Sequence, residues 1–394
     1  MANIVTFFDR VKGDRVLWMI VIFLSLISIL IVYSASGSMA YKLRGGDTEY
    51  YLLQQLVFLA AGWTLMWMAY KLNYKIYARY APMILAIAIP LLTYTLLFGV
   101  EINDAKRWIT IPLIDMTFQT SDFAELALII FVARALAVNQ DKIKDFKSAI
   151  LPIIIPIILV CGLIAPANLS TAALLFITTF LMMFIGRISL KFVFLLLLAG
   201  IIGGFLLVIL SSQFPELGRM GTWVSRVEEF LLLSDGDYQV QQAKIAIAEG
   251  GFFGVGPGNS IQRHHLPYAY ADCIYAIICE EYGIVGGMFV LLLYLALLYR
   301  CVSIVIKSPK AFGPILAMGL CLSLVVRAFA NIAVSVQLVP ATGLTLPMIS
   351  MGGTSLMFTC ISFGIILSVS RHAEKAAAEQ KELNKIELAH ESDH

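Results

Sequence analysis

Charge is what this chain has least of: only 14% of its 394 residues are Asp, Glu, Lys or Arg, against about one-quarter in soluble domains. With 60% hydrophobic residues and a mean hydropathy of +0.86, that scarcity excludes a water-soluble enzyme. A basic field is missing as well. The formal charge is +2 and the basic residues are scattered, which excludes a nucleic-acid binder. The six cysteines (Cys161, Cys273, Cys279, Cys301, Cys321, Cys360) show no CxxC or Cys/His spacing. Five lie in or beside apolar stretches, so they are read as small packing residues, with no disulfide framework and no metal site. What remains is an all-α polytopic integral membrane protein.

Long apolar runs are what the chain has in abundance. A helix needs about 20 mostly apolar residues to cross the hydrocarbon core, and charge-free runs at Val16–Tyr41, Tyr50–Tyr70, Tyr80–Val100 and Phe192–Pro215 meet that length. Two further runs are too long for one span. Ser148–Gly186 breaks at Ala165-Pro-Ala-Asn168, and Ala328–Ser370 contains the Pro- and Gly-rich stretch Pro340–Gly353. Asp122–Val138, Ile274–Tyr299 and Phe312–Val336 are weaker spans, each with at least one charge. The count is about ten. Ser34-Ala-Ser36 resembles a cleavage site, but the preceding apolar core exceeds the roughly 7–15 residues of a signal peptide, so the first run is read as a retained span.

With ten spans, nineteen lysines and arginines fall on the side shared by both termini and the even-numbered loops, against eight on the other, with Arg327 inside a span. The positive-inside rule then puts both termini in the cytoplasm. Residues 1–15 form the cytoplasmic N-terminus, 16–371 the ten-span membrane domain, and 372–394 a cytoplasmic tail.

Between spans seven and eight lies a large extracytoplasmic loop, residues 211–272. Long loops in compact domains are usually functional, although a solvated cap over helix ends would look the same in composition. Val240, Ala243, Ile245, Ala246 and Ile247 are spaced for a short helix lying on the membrane face. The run Gly250–Ser260 lacks the strand–helix context of a dinucleotide fingerprint; it is either an anion nest for a phosphate or a tight turn. Charges inside spans are costly and normally face the bundle interior or a wet cavity. Asp122 and Glu125 share one helix face, Asp272 lies where the large loop meets span eight, and Glu280 and Glu281 lie about two turns deeper. Arg327 precedes Asn331 by four residues in span nine. Asp272 would also suit a helix N-cap, and Glu280, Glu281 and Arg327 would suit structural ion pairing.

Four stretches together carry a family resemblance: Ala105–Ile109 with Phe118–Leu126; Tyr238 through Gln242 to Ser260; Leu266–Gly283; and Asn331 with Pro340–Ser355. In this order they resemble the SEDS family (shape, elongation, division and sporulation), the polytopic polymerases of bacterial peptidoglycan. Gly256–Gln262 and Gly343–Pro347 are more similar to the division branch than to the elongation branch. The chain departs from the family's Pro-Ser-Glu-x-x-Lys at Thr120–Glu125 and from its Pro-Asp-x-Gly-Thr at Ala167–Thr171. The customary lysine is Glu125 and the customary aspartate is Asn168. Losing one partner of a buried pair is costly whereas changing both is tolerated, so Glu125 and Asn168 are expected to meet through a hydrogen bond. The family lysine near Pro340 is Thr342, and its His-Thr-Asp reads Tyr270-Ala271-Asp272.

The resemblance implies glycan-strand synthesis from lipid II in septal cell-wall assembly, with undecaprenyl pyrophosphate released. A hydroxyl must lose a proton as it attacks, and Asp272 matches the family's essential aspartate. Charge developing on the pyrophosphate calls for cations: Arg107 and Arg226 first by family position, then Lys106, Arg219, Lys244 and Arg263, each of which would equally anchor to lipid headgroups. Asp122, Glu125, Asn168, Glu280, Glu281, Arg327 and Asn331 form the expected polar core. No protein-bound metal is predicted; a divalent cation (Mg or Mn) on the pyrophosphate is compatible with the chemistry. The implied partners are a class B penicillin-binding protein (a transpeptidase) and small bitopic division proteins, at the septum of a bacterial plasma membrane. A transporter of the same lipid-linked precursor and a non-catalytic division scaffold are the alternatives. A translocation path would need cavities open to both faces, and a scaffold would leave Asp272 replaceable.

Overall fold

A run of apolar residues becomes a helix only if its end groups are satisfied, and the first helix shows how. In the computed structural model Asp14 N-caps α1 (Arg15–Ala35), accepting from Val16 N at 2.8 Å and Leu17 N at 3.3 Å. Its other carboxylate oxygen accepts from Arg300 Nε at 2.8 Å, so the cap also ties two distant helices. The structure describes residues 13–37, 39, 48–102, 105–111, 116–142, 150–213, 226, 230, 238–266, 268–307 and 311–392.

The chain continues through α2 (Thr48–Lys71) and α3 (Tyr74–Phe98) into a sheet of β1 (Val100–Ile102), β2 (Ala105–Ile111) and β3 (Met116–Gln119). Then come α4 (Thr120–Val138), α5 (Leu151–Ile164), α6 (Leu169–Ile185) and α7 (Leu190–Gln213). Further along the chain come α8 (Tyr238–Gly250), which lies within the large loop, then α9 (Ile274–Lys307), α10 (Phe312–Ser335) and α11 (Thr354–Ser392). Six of these helices (α1, α2, α3, α9, α10 and α11) are long and apolar enough to cross a membrane; α5 and α6 are apolar but shorter. The antiparallel sheet, ordered β1-β2-β3 with Trp108 opposite Gln119, corrects the all-α expectation. Its strands of 3, 7 and 4 residues fall in a connection too short to show a period-2 pattern.

Lipid tails are as apolar as leucine, so membrane helices associate through close packing and small residues. Gly62 of α2 and Gly364 of α11 serve that purpose. A Cβ on Gly62 would stand 2.7 Å from Cys360 Sγ, and one on Gly364 would stand 2.8 Å from Ala69 Cβ.

Helix α8 corrects a second expectation. Its apolar stripe, Val240, Ala243 and Ala246, is buried; Ala243 and Ala246 pack with Ala269 and Cys273 of the turn before α9 and with Ala276 and Ile277 of its first turn. That stripe seals against protein and is not offered to lipid, while Ile245 stays exposed.

The glycine run has its own structural task. Gly283 (φ 69°) interrupts α9, which would strand backbone groups where water is scarce. Residues 251–256 replace the lost bonds. Ile284 N donates to Gly251 O (3.0 Å) and Val285 N to Phe252 O (3.4 Å), while Val255 N and Gly256 N donate to the Glu280 and Glu281 carbonyls at 2.9 and 3.0 Å. A Cβ on Gly250, Gly254 or Gly283 would collide with the opposing backbone. The anion held beside this run is internal: the Glu280 carboxylate accepts from Ile261 N at 2.8 Å, Gln262 N at 3.1 Å and the Ser260 hydroxyl. The tight-turn alternative therefore holds, and these N–H groups are not a phosphate nest.

Candidate functional site

The cleft around Asp272 is assembled from the turn that starts α9 and from the loop between α10 and α11. Tyr268, at φ 55°, points its carbonyl at two amides, Ala271 N (2.9 Å) and Asp272 N (3.2 Å). A bulky residue in this left-handed region is unusual, and here it fixes the backbone that presents Asp272. The facing loop is pinned to the same turn. Ser350 Oγ donates to Ala271 O at 2.6 Å and accepts from Leu346 N at 2.8 Å, and Met351 N donates to Tyr270 O at 3.0 Å. Tyr294 on α9 donates its hydroxyl to Pro347 O at 2.5 Å. Asn331 completes the anchorage from α10, donating to Asp272 O at 2.8 Å and Leu344 O at 2.6 Å.

The result is a cleft of about 390 Å³ lined by Asp272, Arg226, Gln239, Asn331, Thr342 and Gly343, among others. Gly343 (φ 64°) leaves room for the carboxylate: a Cβ there would lie 3.4 Å from Asp272 Oδ2. Arg226 supplies positive charge and donates to Ala341 O at 3.1 Å. Burial first, then Tyr268, Tyr51 and Asp272, push the Tyr270 phenol up to about 12, so it stays neutral near pH 7. Among the described residues no cluster of three or more His, Cys, Asp or Glu forms a metal pocket. Asp272 is the one carboxylate among the described residues lining the cleft, fewer protein ligands than a divalent cation takes when a protein alone holds it.

The other sequence-predicted cations go elsewhere. Lys106 and Arg107, on β2, line a second crevice with Thr120, Ser121 and Asn168, and Arg107 Nε donates to Ala167 O at 2.8 Å. Lys244 bonds Gln337, tying α8 to the end of α10. Arg263 reaches Ser34 O (3.4 Å) and Ser34 Oγ (3.2 Å) on the far side of the turn. Burial, Arg263 and His265 hold His264 below its ordinary value. Arg219 lies outside the described residues. Of the six cations predicted to bind substrate, Arg226 alone lines the Asp272 cleft among the described residues.

The polar core is real, but its partners differ from those expected. Glu125 bonds Arg327 and Ser323 of α10, while Asn168 N-caps α6, accepting from Thr171 N at 3.3 Å. The expected Glu125–Asn168 hydrogen bond does not form. A carboxylate at 125 needs a cation more than an amide, and α10 supplies one within reach. Glu280 and Glu281 are both buried and bond to hydroxyl and backbone groups, Glu281 to Ser34; among the described residues they hold the structure by hydrogen bonds and not by the ion pairs expected of them. Sequence reasoning missed Gly343 and Ser350 as individual site residues. The positive φ of the first and the carbonyl partner of the second exist only once the loop has folded back onto the turn.

A helical membrane protein with a polar cleft closed by a folded-back loop is the class this architecture defines. The chain belongs to the family of cell cycle proteins that comprises FtsW, RodA and SpoVE; the family profile matches residues 14–375. It is 30% identical over 373 residues to a probable peptidoglycan glycosyltransferase FtsW of Geobacter sp. (strain M18), covering 93% of this chain and 100% of that protein. It is 32% identical over 375 residues to the stage V sporulation protein E of Bacillus subtilis (strain 168), covering 92% and 98%. The fold is similar to a chain of a peptidoglycan synthase complex (TM-score 0.71, 23% identity, 92% and 98% covered). It is also similar to the rod shape determining protein RodA of Thermus thermophilus (TM-score 0.66, 23% identity, 92% and 98% covered).

Proposed function

We propose that this chain is a peptidoglycan glycosyltransferase that polymerises lipid II in septal wall synthesis. Family membership and relatives bearing that enzyme name along nearly the whole chain support the reaction. The observation that carries the site is that Asp272 and Arg226 line one cleft. In the reaction the 4-hydroxyl of one disaccharide attacks the anomeric carbon of another. The new C–O bond forms as the bond to the pyrophosphate oxygen breaks. Asp272 takes the hydroxyl proton, a contribution of about 10²–10⁴-fold, and undecaprenyl pyrophosphate departs with the bonding pair. Arg226 is placed to offset the charge that accumulates on the leaving group.

In this reading ten helices span the membrane, every helix but α8, with both termini cytoplasmic and the cleft outside. The lysine and arginine bias supports that orientation. A penicillin-binding protein partner is supported by the likeness to a synthase-complex chain. Purified protein with its cognate transpeptidase should convert lipid II to glycan strands, and Asp272→Asn should abolish product while lipid II binding and folding persist. Unchanged polymerisation by Asp272→Asn would remove Asp272 from the chemistry.

A further inference from the structure

Between α4, α10 and α11 lies a third polar cavity, of about 330 Å³, lined by Asp122, Glu125, Ser323, Arg327, Ser355 and Thr359, among others. Its charges do not balance. Arg327 is the cation in the cluster, and its closer contact is to Glu125, which also accepts from Ser323. Asp122 stands 3.6 Å from the same guanidinium and is only 4% exposed. Neither of its carboxylate oxygens has a hydrogen-bond partner, although the Ser355 hydroxyl lies beside it. The groups facing Asp122 are Glu125 on its own helix, Arg327 from α10, and the hydroxyls of Ser355, Thr359 and Ser362 from α11. The Cys161 thiol of α5 lies on the Glu125 side. Two ionised carboxylates against one guanidinium would leave a net negative charge in an apolar bundle.

An ionised carboxylate without hydrogen bonds is strongly disfavoured there, and such a group neutralises itself where it can. A protonated carboxyl becomes a donor, and the α11 hydroxyls are acceptors within the same cavity. We propose that Asp122 is a proton-binding site, a carboxylic acid that takes up a proton in the folded protein under mildly acidic conditions and gives it up when the protein unfolds. The site turns on residue 125, because a glutamate there takes the arginine that Asp122 would otherwise hold. It bears on the Asp272 cleft through α10, where Asn331 follows Arg327 by one helical turn.

Thermal unfolding of the full-length protein in detergent tests this without reference to activity, so its failure is separate from failure of the polymerase reading. Wild type, Asp122→Asn and Glu125→Gln are melted from about pH 5.5 to about pH 8.5, in sodium chloride and in choline chloride. A proton bound in the folded state and lost on unfolding makes stability fall as pH rises, by up to about tenfold in the unfolding equilibrium per pH unit. Wild type should lose stability relative to Asp122→Asn in that way. Glu125→Gln should lose the slope too, because it frees Arg327 to hold an ionised Asp122, and it gives the same reading if Asp122→Asn does not fold. A pH-independent gap between wild type and the folded variants would overturn the proposal. So would stabilisation of wild type by sodium over choline, which would put a metal cation where the proton is proposed.

Discussion

Asn331 Nδ2 donates to the carbonyl oxygens of both Asp272 (2.8 Å) and Leu344 (2.6 Å), so one amide holds the backbone of Asp272 and the loop facing it. With both N–H bonds committed, its Oδ1 has no hydrogen-bond partner, although the residue lines the cleft. Replacing Asn331 by Leu keeps the volume and strands two buried carbonyls, at about 1–3 kcal/mol each. Lipid II polymerisation is expected to fall by at least tenfold in turnover while the protein still purifies as a folded species. Steady-state kinetics on detergent-solubilised enzyme decides it, and near-wild-type turnover would mean that the loop and the turn hold without the amide.

Gly283→Ala places a side chain at φ 69° and against the Phe252 carbonyl. The broken α9 and the glycine run can no longer exchange their four backbone hydrogen bonds, so a loss of several kcal/mol is expected. In contrast, Gly203→Ala in α7, where a Cβ meets nothing within 4 Å, should melt like wild type. A melting-temperature series in one detergent compares the two.

Arg327→Gln and Glu125→Gln should not be equivalent. Removing the arginine leaves Glu125 buried without a cation, at about 3–5 kcal/mol. Removing the glutamate leaves Arg327 with Asp122 already 3.6 Å away. Arg327→Gln is therefore expected to be the more destabilised in thermal melts, and the reverse order would place the dominant pairing elsewhere.

Gly343→Ala tests the left-handed backbone that faces the Asp272 carboxylate. The new methyl would sit 3.4 Å from Asp272 Oδ2 on a backbone at φ 64°, where alanine is strained. Polymerisation should drop by roughly tenfold, since small misplacements of a catalytic group are costly, with little change in lipid II binding. Equal loss of binding and turnover would show that the loop itself had been displaced.

Much of the architecture was legible because hydropathy is a local property. The break at 165–168 and the starts of α4 and α9 follow from where charge, proline and glycine interrupt apolar runs. The pairings were not legible in the same way. Glu125 was assigned to Asn168 because both positions depart from the family pattern, yet Asn168 is occupied at a helix start and Arg327, some two hundred residues away in sequence, provides the charge. The spacing of Val240, Ala243 and Ala246 correctly gave a helix but not what it covers, because an apolar stripe fits lipid and protein equally well.

The sequence by itself determined that this chain belongs in a membrane, which segments are helical, and that Asp272 stands at the junction of the large loop and a helix. Those follow from composition and from short motifs, each confined to a few neighbouring residues. Only the tertiary structure decided that Arg226 and not Lys244 or Arg263 shares the cleft, that Gly283 is repaired by residues 251–256, and that Arg327 answers to two carboxylates. Each of these depends on atoms brought together by folding, and in a bundle where water is scarce the choice of partner for every buried polar group is made by reach and charge across helices.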